Sequence, residues 1–294
     1  MCDVLDEAEW TARERRHIDR VDRLLGPHRT RAQTGQSHPV WDFLFTYYSF
    51  RPRQLARWHP GYGTALDGSA AGKFLRRTGY QQAGSAVTLS ADVLASRLDT
   101  VTFIADLLTA TADRPARLNC FGMHEWAMVY RSREVRHHGV PLRLDPHHTD
   151  QVLESMPLRC SHFDAYRFFT DAAVGRNAER LSRDAQLRHE QPGCVHANMD
   201  LYKWCYKLGP LVPSETLMDC FELACTARLL DMRASPYDLT GYGITPIRVE
   251  TASGRTDYVR RQQEVARRAA ELRTALRDHC RGMIAGDRAE KVPG

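Results

Sequence analysis

The stretch GCVHANMDLYKW, residues 193–204, constrains the fold of this chain more than any other. Read at 3.6 residues per turn and extended to Leu208, it places His196, Asp200, Lys203 and Lys207 on a stripe roughly 60° wide. Val195, Met199, Tyr202 and Tyr206 flank the stripe on one side, with Leu201, Trp204 and Leu208 on the other. A helix that is apolar around most of its circumference must be buried among other elements. The sequence therefore predicts a core helix over 194–208 whose narrow polar stripe faces an enclosed site rather than bulk water.

The surrounding pattern is helical as well. Residues 4–25 suit an exposed amphipathic helix. Residues 37–50 read as a buried helix, interrupted at Pro52 and followed by a short second one. Residues 90–113 keep helical periodicity behind Ser90, 121–139 look helical, and HHTDQVLESM suggests a short helix. SETLMDCFELACTARLLDMR predicts a helix capped by Ser214, and an Arg-rich amphipathic helix is expected over roughly 256–281. Glycines at 61, 63, 68, 72, 79 and 84 mark 61–86 as a long loop or flap. The strand candidates are VPLRL at 140–144, LRCSHF at 158–163 and IRVE at 247–250, too few and too short for a large sheet. The expectation is a mainly α fold: a single globular multi-helix domain over 1–283 with at most a few short strands, a core within 36–265, and a polar tail over 284–294.

Composition excludes several classes. The acidic start MCDVLDEAEW lacks the apolar segment of a secretory signal, and no run approaches the roughly eighteen apolar residues of a membrane span. A cytoplasmic protein is expected, with no membrane and no protein partner implied. The eight cysteines form no C-x-x-C pair, so a structural zinc site or disulfide framework is not expected. A formal charge of +5 permits phosphate-bearing partners without requiring one.

Four His/carboxylate pairs stand in apolar settings: His38/Asp42, His124/Glu125, His162/Asp164 and His196/Asp200. On a helix, residues four apart project to one face and can grip one ion or share one proton. Imidazole plus carboxylate is the ligand set of non-haem iron, zinc or manganese sites, and it serves equally in acid–base chemistry without a metal. One reading is thus a metal-dependent enzyme acting on a small molecule, with iron or zinc held by His124, His162, His196 and Asp200 and with Glu125 or Asp164 assisting. Another is a non-catalytic binding protein with 61–86 as a lid. His38 before a proline reads as a loop end, and His137, His138, His147 and His148 read as exposed. LTGYGIT at 239–245 has the L-x-G-x-G spacing of a phosphate-holding helical hairpin, but Pro246 and IRVE follow where a helix must.

HPVWDFLFTYYSFRP, RWHPG, HEWAMVYR, HFDAYRFF, GCVHANMDLYKW and MRASPYDL together give the chain a resemblance, over about residues 36–265, to a bacterial family named 3-methyladenine DNA glycosylase. The resemblance implies hydrolysis of the N-glycosidic bond of an alkylated purine, with DNA or a modified nucleobase as partner. Such an enzyme extrudes the nucleotide and stacks its base on aromatic faces. Under it, Asp200, then Asp164, would activate water with His196 and Lys203 beside them. Trp126, Tyr202 and Trp204 would supply stacking faces, and Arg167 a phosphate contact.

Overall fold

Three long helices build the centre. Val195–Leu208 turns at Gly209–Leu211 and packs against Ser214–Ala234, and Ala252–Glu290 lies across both and along Leu98–Ala112. The computed structural model describes residues 3–132 and 139–290. The fold is mainly α, as the periodicity predicts. Leu201, Tyr202, Leu208, Met218, Leu223, Ala227 and Ala269 are fully buried in one cluster. That cluster also takes Val21 and Leu25 from the Glu7–Gln33 helix and Leu276, Cys280 and Met283 from the last one, so the core extends well outside 36–265. The final helix continues to Glu290, which replaces the polar tail expected from 284; residues 291–294 lie outside the described set.

The Gly-rich 61–86 segment is not a flap. It carries three strands of a four-stranded sheet: β1 (Asp3–Leu5), β2 (Thr64–Leu66), β3 (Tyr80–Ala83) and β4 (Ala86–Leu89), in the order β1-β2-β4-β3. β1 runs parallel to β2 with Val4 opposite Ala65, and the other neighbours are antiparallel, with Ala65 and Gln81 both opposite Thr88. Gly84, at φ +63°, makes the tight β3–β4 turn that a side chain would strain. Trp10, Trp58, Phe74 and Tyr80 fill a second core beneath the sheet, with Trp10 and Phe74 edge to face at 5.7 Å. Strands of three or four residues leave little alternation to read, which is why glycines dominated the pattern.

Other segments differ from their sequence-based expectations. The 37–50 stretch forms a single helical turn, Phe43–Thr46, because Asp42 folds back onto the backbone N–H of His38 at 2.7 Å and Ser49 takes a left-handed φ of 54°. Of residues 121–132 only Met123–Ala127 is helical, before Arg131 turns at φ 51°. Residues 133–138, including His137 and His138, lie outside the described residues. The strand candidates reduce to the isolated bridges Leu142–Tyr237 and Leu158–Asn177, and 247–250 forms no strand. Pro213, not Ser214, precedes the 214–234 helix; Ser214 Oγ instead accepts the N–H of His59 at 2.8 Å. The 3-10 turn Thr240–Tyr242 lies within LTGYG itself, and no helix begins after it before Ala252, so no helix follows directly on that loop. Among the described residues no disulfide forms, and no helix is long and apolar enough to cross a membrane.

Leu201 is fully buried on the face of its helix away from the polar stripe. Leu201→Ala should lower unfolding stability by about 3 kcal/mol, read as a lower urea midpoint at unchanged slope. A change below about 0.5 kcal/mol would mean that this face is not core.

Candidate metal centre

Four chain segments bring the histidines and acids together. The chain enters Met123–Ala127 through two consecutive residues with positive φ, Phe121 (47°) and Gly122 (69°). A Cβ at Gly122 would stand 3.2 Å from Ala234 Cβ, so the turn sits tight against the 214–234 helix. This costly backbone for Phe121 aims His124 inward. His162 precedes the Phe163–Tyr166 turn that carries Asp164. His196, Asp200 and Lys203 come from the Val195–Leu208 helix, and Arg228 and Asp231 from Ser214–Ala234.

These groups are buried and form two adjoining sets. In the first, His124 Nε2 lies 2.8 Å from Asp231 Oδ1, and His196 Nε2 lies 3.9 Å from Asp231 Oδ2. The His124 and His196 rings meet edge to face at 4.3 Å. Arg228 Nη1 donates to Asp231 Oδ2 at 3.1 Å and to Glu125 Oε1 at 2.9 Å, while its guanidinium lies over the Phe43 ring at 3.8 Å. In the second set, His162 Nε2 donates to Asp200 Oδ2 at 3.1 Å and stands 3.5 Å from Glu190 Oε1. Tyr48 donates its hydroxyl to Asp200 Oδ1 at 3.0 Å, and Lys203 joins Asp200 Oδ2 to Asp164 Oδ2, the latter at 3.2 Å. The His162 ring stacks on His196 at 5.4 Å, so the two sets touch.

The sets differ in how their polar atoms are satisfied. Asp200 has both oxygens taken by hydrogen bonds, and Glu190 Oε1 accepts from Gln186 Nε2. His124 Nε2 and Asp231 Oδ1, 2.8 Å apart, form an ion pair that falls outside good hydrogen-bond geometry, and neither atom has another hydrogen-bond partner among the described residues. Buried polar atoms are nearly always bonded, and an orphaned pair calls for an explanation.

Electrostatics follow the geometry. Burial alone would depress His124 and His162, but Asp231 beside one and Asp200 beside the other outweigh it and hold both imidazoles above their ordinary value. Burial and the neighbouring His124 push His196 far below it, so His196 is neutral. Burial opposes ionisation of Asp200, Asp231 and Asp164; Lys203 for Asp200 and Asp164, and His124 for Asp231, nonetheless keep all three below the usual carboxylate range. Glu190 is raised by its burial.

Three of the four sequence pairs reach this centre, but with exchanged partners: His124 meets Asp231 rather than Glu125, and His162 meets Asp200 rather than Asp164. The expected ligand set of His124, His162, His196 and Asp200 is thus split between two groups, His124/His196/Asp231 and His162/Glu190/Asp200. His38 and Asp42 stay apart from it, Asp42 pairing with His28 Nδ1 at 2.9 Å. His147 and His148 are exposed, as expected. Trp126 is fully buried with Nε1 donating to Ala234 O, and Tyr202 is fully buried among Tyr48, Phe50 and Phe221, so neither presents a face for stacking. Trp204, Arg167, Asp164 and Lys203 border a cleft of about 670 Å³. Asp231, Arg228, Glu190 and Tyr48 were not anticipated. Arg228 and Asp231, three apart on a helix rich in Leu, Met, Ala and Cys, carry a fainter form of the signal in the 196/200/203 stripe.

Comparison with protein-family models, with curated proteins and with solved structures finds no match to this chain.

Breaking the Lys203–Asp200 pair leaves a buried charge short of its partner. Lys203→Met should cost about 3–5 kcal/mol at pH 7, measured by guanidinium unfolding. Asp200 has its pKa depressed on folding, so it contributes stability above its unfolded pKa that is lost as pH falls through the folded one. Without Lys203 that loss should begin at higher pH than in the parent; an unchanged acid limb would show that the lysine does not hold Asp200 ionised.

Proposed function

We propose that this protein is a metal-dependent enzyme acting on a small molecule, its divalent ion held by His124, His196 and Asp231. One observation carries the reading: His124 Nε2 and Asp231 Oδ1 face each other at 2.8 Å, buried, in an ion pair outside good hydrogen-bond geometry and with no other hydrogen-bond partner among the described residues. Two ligand atoms each about 2.1 Å from one ion, at right angles, lie about 3.0 Å apart, so an ion between them resolves both orphans. Two imidazoles and one carboxylate form the set that holds non-haem ferrous iron with positions left open, and zinc accepts the same donors. Arg228 grips Asp231 by Oδ2 and so leaves Oδ1 turned toward the imidazoles. A small cavity of about 20 Å³ touches both His124 and His196, room for one water-sized molecule at an open position. The ion would supply Lewis-acid or redox chemistry to such a molecule.

The glycosidic hydrolysis implied by the resemblance draws less support. It asks for a carboxylate and stacking faces open to an extruded base, whereas Asp200 is 1% exposed with its oxygens occupied and Trp126 and Tyr202 are sealed.

Elemental analysis of protein purified without chelator should find close to one equivalent of iron or zinc. His196→Ala and the isosteric Asp231→Asn should each lose at least tenfold in metal affinity, with folding checked by circular dichroism. His162→Ala should keep the stoichiometry. Metal-free protein that takes up neither iron, zinc, manganese nor cobalt would overturn the reading, as would release of 3-methyladenine from alkylated DNA in excess chelator.

A further inference from the structure

The cleft of about 670 Å³ is lined by Tyr48 and Lys203, which bond Asp200, and by none of His124, His196 and Asp231, and five separate chain segments build it. Its size falls in the range of small-molecule sites. Lys203 and Trp204 come from the Val195–Leu208 helix, Phe103 from Leu98–Ala112, Asp164 and Arg167 from the turn after His162, and Arg183 from the Arg183–Ala185 turn.

Two features of this cleft converge. The first is a set of cations, Arg167, Arg183, Lys203 and Lys207, that outnumbers the lining acids Asp99, Asp164 and Asp184. Arg183 Nη2 reaches Asp164 Oδ1 at 2.5 Å, Arg167 Nε stands 3.4 Å from the same oxygen, and the buried ammonium of Lys203 contacts Asp164 Oδ2 at 3.2 Å. Asp164 takes one nitrogen of each guanidinium, which leaves further donors of both five-donor forks without a bond to it. The forks are also oriented, because Arg167 lies over the Phe168 ring at 4.3 Å and Arg183 over Phe163 at 5.1 Å. The second is an aromatic wall. Phe103 is 38% exposed beside the exposed Asp99, Thr100 and Asp106 of its helix, and its ring meets Trp204 edge on at 6.0 Å. Such an exposed apolar ring beside oriented guanidinium donors matches a ligand with one planar apolar part and one anionic part.

We propose that this cleft binds a small planar aromatic anion, a carboxylate or phosphate, with its ring against Phe103 and Trp204 and its charged group on Arg167 and Arg183. This goes beyond the metal reading and stands without it, since none of the residues involved belongs to the His124/His196/Asp231 set.

Titration of purified protein with 2-naphthoate, adenosine 5′-monophosphate, 2-naphthol and acetate, followed by calorimetry, tests it. At least one of the two aromatic anions should bind saturably and at least tenfold more tightly than neutral naphthol or ringless acetate; which one does so tells carboxylate from phosphate. Arg167→Ala/Arg183→Ala should reduce that affinity at least tenfold while leaving naphthol unchanged, and Phe103→Ala should weaken both ring-bearing ligands. Arg167, Arg183 and Phe103 are surface positions, and an unchanged thermal midpoint confirms that the variants fold. Equal affinity for all four probes, absence of binding by both anions, or full affinity in the double variant would overturn the proposal. Metal content of the same samples reports separately on the metal centre.

Discussion

The compensation of charge inside the helical core is the constraint on which the rest of the molecule depends. Asp200 and Asp231 are almost entirely removed from water, and so are His124, His162, His196, Lys203 and Arg228. Taking each such ion out of water costs several kcal/mol even after relaxation, and only close, well-made pairs return it. The four segments that supply these groups, Met123–Ala127, His162 with the Phe163–Tyr166 turn, Val195–Leu208 and Ser214–Ala234, are therefore locked in mutual register by more than apolar packing. Shifting any of them would leave a carboxylate or a cation unpaired in a low-dielectric interior.

The central carboxylate is fully bonded in one half of the network and not in the other. Around Asp200 the bonds from Tyr48, His162 and Lys203 take both oxygens, while His162 Nδ1 has no hydrogen-bond partner among the described residues. Around Asp231, Arg228 fixes one oxygen while the other pairs with an imidazole nitrogen outside good hydrogen-bond geometry. The left-handed backbone at Phe121 and Gly122 belongs to the same picture, since it is local strain spent on aiming His124 at that point.

Much of this was legible in the chain, and the limits have physical causes. The polar stripe of His196, Asp200 and Lys203 could be read because a buried helix has a strict period and tolerates few polar residues. The convergence of His124 and His162 on it could be suspected from their apolar settings, but their partners could not. Glu125 and Asp164 adjoin these histidines in sequence, yet short turns direct the side chains to Arg228 and Lys203 instead. Asp231 escaped because its helix also carries Glu215, Asp219, Glu222 and Arg233, so no narrow polar stripe singles it out. The sheet of 61–89 escaped because its strands are too short to alternate, and Trp126 and Tyr202 because aromatic residues look the same in a sequence whether they line a site or fill a core.

The central claim is that the set around Asp231, and not the one around Asp200, holds the ion. Anomalous diffraction from crystals grown with ferrous iron or zinc tests this most directly. The account predicts a single strong peak about 2.1 Å from an imidazole nitrogen of His124 and of His196 and from Asp231 Oδ1. A peak among His162, Glu190 and Asp200, or none within the core, would contradict it.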